Sequence, residues 1–143
     1  MNRTVYYPFG KIRDVDSLKM LNAQLTLTKE IAKDPSLNSY ELMRLAYKNS
    51  FIKFFKRSDT GFFEIVSARM SDKEITLPNY VHIGMALEDF LDLYFEKNIN
   101  RYTQKISTVQ LISGVDGIWQ YYHFKNGVLS SINFNSDYTF NKD

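Results

Sequence analysis

A chain of 143 residues that is 44% hydrophobic, 15% aromatic and 24% charged has the profile of one globular domain, long enough to bury a core without staples. Its 18 basic and 16 acidic side chains nearly balance at +2, which leaves no bulk electrostatic case for nucleic acid or an anionic membrane as partner. With no cysteine, disulfides, thiol catalysis and cysteine-ligated metals are excluded.

Residues 5–9 suit a first strand ending at Pro8-Phe9-Gly10. The start, Met1-Asn2-Arg3-Thr4-Val5-Tyr6-Tyr7, lacks the pattern of a signal peptide, and no apolar run reaches bilayer length, so no transmembrane segment is expected. Both a cytoplasmic chain and a mature exported domain, separated from a signal and a lipidated cysteine, fit that reading.

Residues 14–34 carry two patterns. Leu18, Leu21, Leu25 and Ala32 suit a helix capped by Asp16, whereas residues 24–31 alternate as a strand with Leu25, Leu27 and Lys29 on one side. A helical or mixed segment is the reading adopted, ended by Asp34-Pro35-Ser36, because the residue before a proline is driven out of helical geometry. Residues 40–47 contain good helix formers, yet they precede two runs rich in β-branched and aromatic residues, 51–56 and 61–68. A β-meander over residues 40–77 explains aromatic runs punctuated by Lys48-Asn49-Ser50 and Ser58-Asp59-Thr60-Gly61; a short helix at 40–47 is the competitor. Lys53, Lys56 and Arg57 interleave with Phe54 and Phe55, as in strands that bind single-stranded nucleic acid. Strand alternation divides that cluster between two faces, and an edge strand guarded by lysine accounts for it more simply.

The stretch 80–134 organises the rest. Val81-His82-Ile83 is a short β entry, Gly84 a flexible corner, and Leu87, Phe90, Leu91 and Tyr94 recur at i, i+3, i+4 and i+7, the apolar stripe of a helix lying on a sheet. Glu88, Asp89 and Asp92 fall on the opposite, solvated side, where the first-turn dipole favours them, so a solvated face is a simpler reading than an acid/base pair. Ala86 stands where Ser, Thr or Asp would have capped the free amides. Three strands follow, at 105–113, 118–124 and 128–134, separated by Gly114-Val115-Asp116-Gly117 and Lys125-Asn126-Gly127.

The second of these turns sets the register. As a two-residue Asn126-Gly127 loop it would align Trp119, Tyr121, His123 and Lys125 with Val128, Ser130, Ile132 and Phe134. As a three-residue loop with Gly127 in the left-handed conformation it aligns Ile118, Tyr122 and Phe124 with Val128, Ile132 and Phe134, the better apolar face. The three-residue loop is therefore the reading adopted. It turns Trp119 and Tyr121, with Leu129 beside them, away from the helix as a candidate partner-binding patch. The bland alternative is that the N-terminal segment, with Tyr6 and Tyr7, covers that face and makes these rings core.

Catalytic signals are weak throughout. His82 and His123, the two histidines, each sit in a strand-like setting with no second ligand at metal spacing, so neither a metal site nor a cofactor is expected. No phosphate-binding loop, dinucleotide fingerprint, serine elbow or zincin motif occurs.

The run Val81-His82-Ile83-Gly84-Met85, the acidic helix Leu87-Glu88-Asp89-Phe90-Leu91 and the hairpin Tyr122-His123-Phe124-Lys125-Asn126-Gly127-Val128 together resemble a pattern of small bacterial envelope lipoproteins. They belong to the β-lactamase-inhibitor-protein-like superfamily, which also includes the small lipoprotein of the outer-membrane barrel-assembly machine. The resemblance implies a helical segment packed on an antiparallel sheet, and a role in binding proteins without catalysis. It covers residues from about 80 onward. Ala86 departs from the pattern's polar cap, and the chain has no lipid-acceptor cysteine.

The expectation is a single α+β domain: an antiparallel β-sheet meander with one or two helices packed on one face. The expected function is a non-enzymatic protein-binding or accessory domain, in the setting of a bacterial envelope lipoprotein. An inhibitor or immunity protein that neutralises a toxin or enzyme is the first alternative, and a small hydrolase or ligand carrier the second.

Overall fold

The computed structural model describes residues 12, 14–19, 24–33, 39–57, 59–95, 105–113 and 117–138. The expected strand at 5–9, the stop at 34–36 and the covering role of Tyr6 and Tyr7 lie outside them. Seven strands form one antiparallel sheet: β1 (Thr26–Lys33), β2 (Ser39–Tyr47), β3 (Ser50–Lys56), β4 (Phe63–Met70), β5 (Thr108–Ser113), β6 (Ile118–Lys125) and β7 (Val128–Ser136). Their spatial order is β1-β2-β3-β4-β7-β6-β5, so two meanders join where β4 meets β7. Helix α1 (Val15–Lys19) precedes β1, and helix α2 (Leu87–Tyr94) lies in the connection between the meanders. The chain is thus an α+β fold, mostly sheet.

The described part of residues 14–34 is mixed: one helical turn, Val15–Lys19, and then a strand, Thr26–Lys33. Asp14 rather than Asp16 caps α1, its Oδ1 accepting from the Ser17 amide at 2.8 Å, and Leu18 is buried. From Thr26 onward the strand pattern prevails, because β2 pairs with β1 along the whole of β1. Residues 40–47 are likewise strand. Alternation buries Met43 and Leu45 against Phe54 and Ile52 of β3, a tertiary reward that outweighs helix propensity.

Helix α2 buries the expected stripe, Leu87, Phe90 and Leu91, and leaves Glu88, Asp89 and Asp92 exposed. Phe90 fastens it to the sheet: its ring centroid lies 4.6 Å from that of Tyr122 and 5.2 Å from that of Phe124. Ala86 makes no side-chain cap, and the Leu87 amide donates instead to the Gly127 carbonyl at 2.9 Å. The β6–β7 hairpin thereby caps the helix from outside, supported by Gly84 N to Leu129 O at 2.7 Å and Leu129 N to Met85 O at 2.9 Å. Gly84 sits at φ +94°, which accounts for a glycine at this corner. The β entry before it is smaller than expected, a single bridge between Thr76 and His82.

The hairpin corrects the register argument. Phe124 pairs with Leu129 and Lys125 with Val128, so Asn126 and Gly127 form a two-residue loop with both φ angles positive, +53° and +76°. Further along, His123 pairs with Ser131, which leaves Ser130 as a bulge in β7. The bulge restores the alignment that the three-residue loop was invoked to explain: Tyr122, Phe124, Ile132 and Phe134 face the core. The exchange falls on the first two residues of β7, where Val128 is 42% exposed and Leu129 is 1% exposed. Leu129 therefore does not stand beside Trp119 and Tyr121; it packs in the core on the other side of the sheet.

A second correction concerns β3. It lies between β2 and β4 rather than at an edge, and Lys53 is buried, so lysine there does not guard an edge. Lys56 is exposed, its ammonium 5.9 Å from the Phe63 ring centroid. Arg57 is tied to Asp59 and Glu64, with contacts of 2.5 and 3.0 Å.

Candidate functional site: the sheet face opposite helix α2

Period-two alternation in β5, β6 and β7 separates two sets of side chains. Val109 and Leu111, with Gln120, Tyr122, Phe124, Ile132 and Phe134, turn toward α2 and the core. Thr108, Gln110 and Ile112 of β5, Trp119, Tyr121 and His123 of β6, and Ser131, Asn133 and Asn135 of β7 take the opposite face. The two rings predicted to point away from the helix do so, and both are half-buried.

Trp119 lies directly across from Ile112, which is 55% exposed. The Phe124 amide donates to the Ser107 carbonyl at 2.7 Å, and alternation from that bond makes 112 and 119 a non-hydrogen-bonded pair, the closer kind. Their side chains therefore form one apolar surface. Beside it the face becomes polar and held in place. Gln110 Nε2 donates to the Tyr121 hydroxyl at 3.2 Å, and both ring nitrogens of His123 are engaged, Nδ1 with Thr108 Oγ1 and Nε2 with Asn133 Nδ2, each at 3.2 Å. His123 is thus a cross-strand tie between β5 and β7.

Toward β2 and β3 the same face closes over. Leu42, Phe55 and Val66 form a second small core, capped by Tyr138, whose ring lies edge-on to Phe55 at 4.7 Å. The Tyr138 hydroxyl donates to Glu64, and burial together with that bond raises its pKa far above the ordinary value. Val66 reaches this cluster because a bulge at the Lys53/Phe54 step of the β3–β4 pair leaves it without a partner, between Ile65 and Ser67. Covered apolar cluster and half-exposed aromatic patch are therefore two ends of one sheet face.

Two polar arrangements escaped sequence reasoning. The Asn79 amide donates to the Tyr94 hydroxyl at 2.6 Å, Tyr94 bonds Tyr122, and Tyr122 donates to Gln120 Oε1 at 2.7 Å, a polar chain running from α2 into the sheet. Burial pushes the Tyr122 pKa well above the ordinary 10.0. The other is a clamp at buried Asp72, whose Oδ2 accepts from the Asn49 amide at 3.0 Å and the Ser50 hydroxyl at 2.5 Å and ties the β2–β3 turn to the loop after β4. Nothing in residue spacing links positions 49 and 72; Ile112 was legible in principle, from the alternation of residues 108–113.

Among the described residues no three His, Asp or Glu side chains gather as a metal site, and no helix is long and apolar enough to cross a membrane. No protein-family model, curated protein or solved structure matches this chain.

Proposed function

We propose that the chain is a non-enzymatic binding or accessory domain that engages another protein through the sheet face around Trp119 and Tyr121. One observation carries the reading: a tryptophan and an exposed isoleucine are directly opposed across β5 and β6 on the face away from the helix, with a tyrosine on the same face. Tryptophan and tyrosine dominate binding hot spots because they offer large contact area at small entropic cost, and a polar rim around them excludes water. Gln110, Thr108, His123 and Asn133 supply such a rim, already ordered by mutual hydrogen bonds. Pre-ordering lowers the entropy lost on association. The likeness of the helix and the Tyr122 to Val128 hairpin to envelope lipoproteins supports the soluble part of such a protein as its setting.

The test uses affinity capture from lysate of the source organism, comparing the unaltered chain with Trp119→Ala and Tyr121→Ala variants of matched circular dichroism. The expected result is a protein retained by the unaltered chain and lost with both variants. Equal retention by all three would refute the assignment of this face.

A further inference from the structure

The sheet has two edges, and they differ in kind. The sequence of β1, Thr-Leu-Thr-Lys-Glu-Ile-Ala-Lys, carries three charged residues, and although Ile31 is exposed there, Lys29 and Glu30 precede it and Lys33 follows. Such charges oppose the approach of a second strand. The other edge, β5, reads Thr-Val-Gln-Leu-Ile-Ser, with no charge, proline or glycine. Among the described residues it has β6 as its one strand neighbour.

The ladder decides which of its groups face outward. Ser107 accepts from the Phe124 amide, so odd-numbered residues of β5 turn their backbone groups toward β6, and Thr108, Gln110 and Ile112 turn theirs away from it. We infer that β5 pairs antiparallel with β5 of a second copy of this chain, about a two-fold axis at Gln110, and extends the sheet across the dimer.

Two conditions restrict the register, and the use of every outward group selects among the registers they allow. Opposed residues must share a sheet face, which restricts pairing to even sums of residue numbers, and the paired residues must be those with outward backbone groups. Centring on Gln110 satisfies both: Gln110 meets Gln110 of the second copy, and Thr108 meets Ile112. All the outward donors and acceptors of 108, 110 and 112 are then used. Val109 falls opposite Leu111 in the close, non-hydrogen-bonded position, and both side chains already pack against the core cluster, so each core continues into the other across the junction. The neutral strand is compatible with its own copy, whereas β1 would set charges against charges. This occupant differs from the partner proposed for the Trp119 face, with which the edge shares Thr108, Gln110 and Ile112; sedimentation reads the one association and affinity capture the other.

An interface one strand long belongs to the weak class, so association is read by sedimentation velocity from about 10 μM to about 1 mM protein. The expected result is a monomer that converts to dimer with concentration. Gln110→Pro removes an outward donor without taking one from the β5–β6 ladder, and is expected to leave the chain folded and monomeric throughout. Because the chain has no cysteine, Gln110→Cys places one thiol per copy at the axis, about 5.5 Å apart between Cα atoms, within disulfide reach. Mild oxidation is expected to give a covalent dimer from Gln110→Cys and none from Ile31→Cys on the other edge. Trp119→Ala is expected to leave dimerisation unchanged. A chain that stays monomeric at the highest concentration, a dimer that persists in Gln110→Pro, equal cross-linking from both edges, or loss of the dimer in Trp119→Ala would each overturn the inference.

Discussion

Two neighbouring residues at the start of β7 give the sharpest test of how this sheet is assembled. Leu129 is 1% exposed within the main core cluster, and Val128, one residue earlier, is 42% exposed. Leu129→Ala removes a buried isobutyl group and leaves a cavity that surrounding side chains fill only in part, a loss of about 2–5 kcal/mol. The backbone bonds of Leu129 to Gly84 and Met85 survive the change, so the loss is one of packing alone. Val128→Ala trims a side chain largely in water and costs about 0.5 kcal/mol or less. Urea unfolding followed by circular dichroism measures both. With a slope of about 2 kcal/mol per molar, Leu129→Ala lowers the midpoint by about 1–2.5 M, and Val128→Ala moves it by about 0.25 M or less. The two values discriminate because a three-residue loop would exchange the residues, placing Val128 inside and Leu129 outside. A Val128→Ala variant as damaged as Leu129→Ala would refute the two-residue loop and the bulge at Ser130.

Stability is expected to fall in alkali. Tyr122 and Tyr138 keep their protons in the folded chain beyond the ordinary 10.0, and unfolded tyrosines release theirs first, so the stabilisation is complete below about pH 10 and is lost as the pH rises above it. An ultraviolet difference titration should show these two ionising above the ordinary value, and Tyr122→Phe should flatten the alkaline slope; a slope unchanged in Tyr122→Phe would contradict the assignment. Asp72→Ala should cost about 1–3 kcal/mol in thermal or urea unfolding, since the amide of Asn49 and the hydroxyl of Ser50 lose their shared acceptor. Stability unchanged by that substitution would mean that the clamp does not hold the β2–β3 turn.

The aromatic face was readable to the extent that alternation alone governs it. Trp119 and Tyr121 are assigned away from the helix by period two, and the assignment holds because Tyr122 and Phe124 leave no other choice of inner face. Leu129 was misplaced because a bulge is a one-residue event with no compositional mark: Ser130 reads as an ordinary strand residue, yet it changes which of its neighbours are buried. Alternation puts Ile112 on one face of β5, but its place opposite Trp119 depends on the register in which β5 meets β6.

The sequence by itself determined the kinds of element from residue 40 onward and the inner faces of α2 and β6: the stripe of α2, the strands after it and the meander before it follow from local periodicity and backbone preference, whereas the length of the Asn-Gly loop and the inner face at the start of β7 did not. Only the tertiary structure decided their order and edges. The junction of β4 with β7, the interior place of β3, the burial of Lys53 and the capping of α2 by the Gly127 carbonyl each join residues distant in the chain. Local spacing carries no record of such contacts. They arise when the apolar faces of two meanders and a helix are buried together, and burial, unlike periodicity, belongs to the assembled molecule.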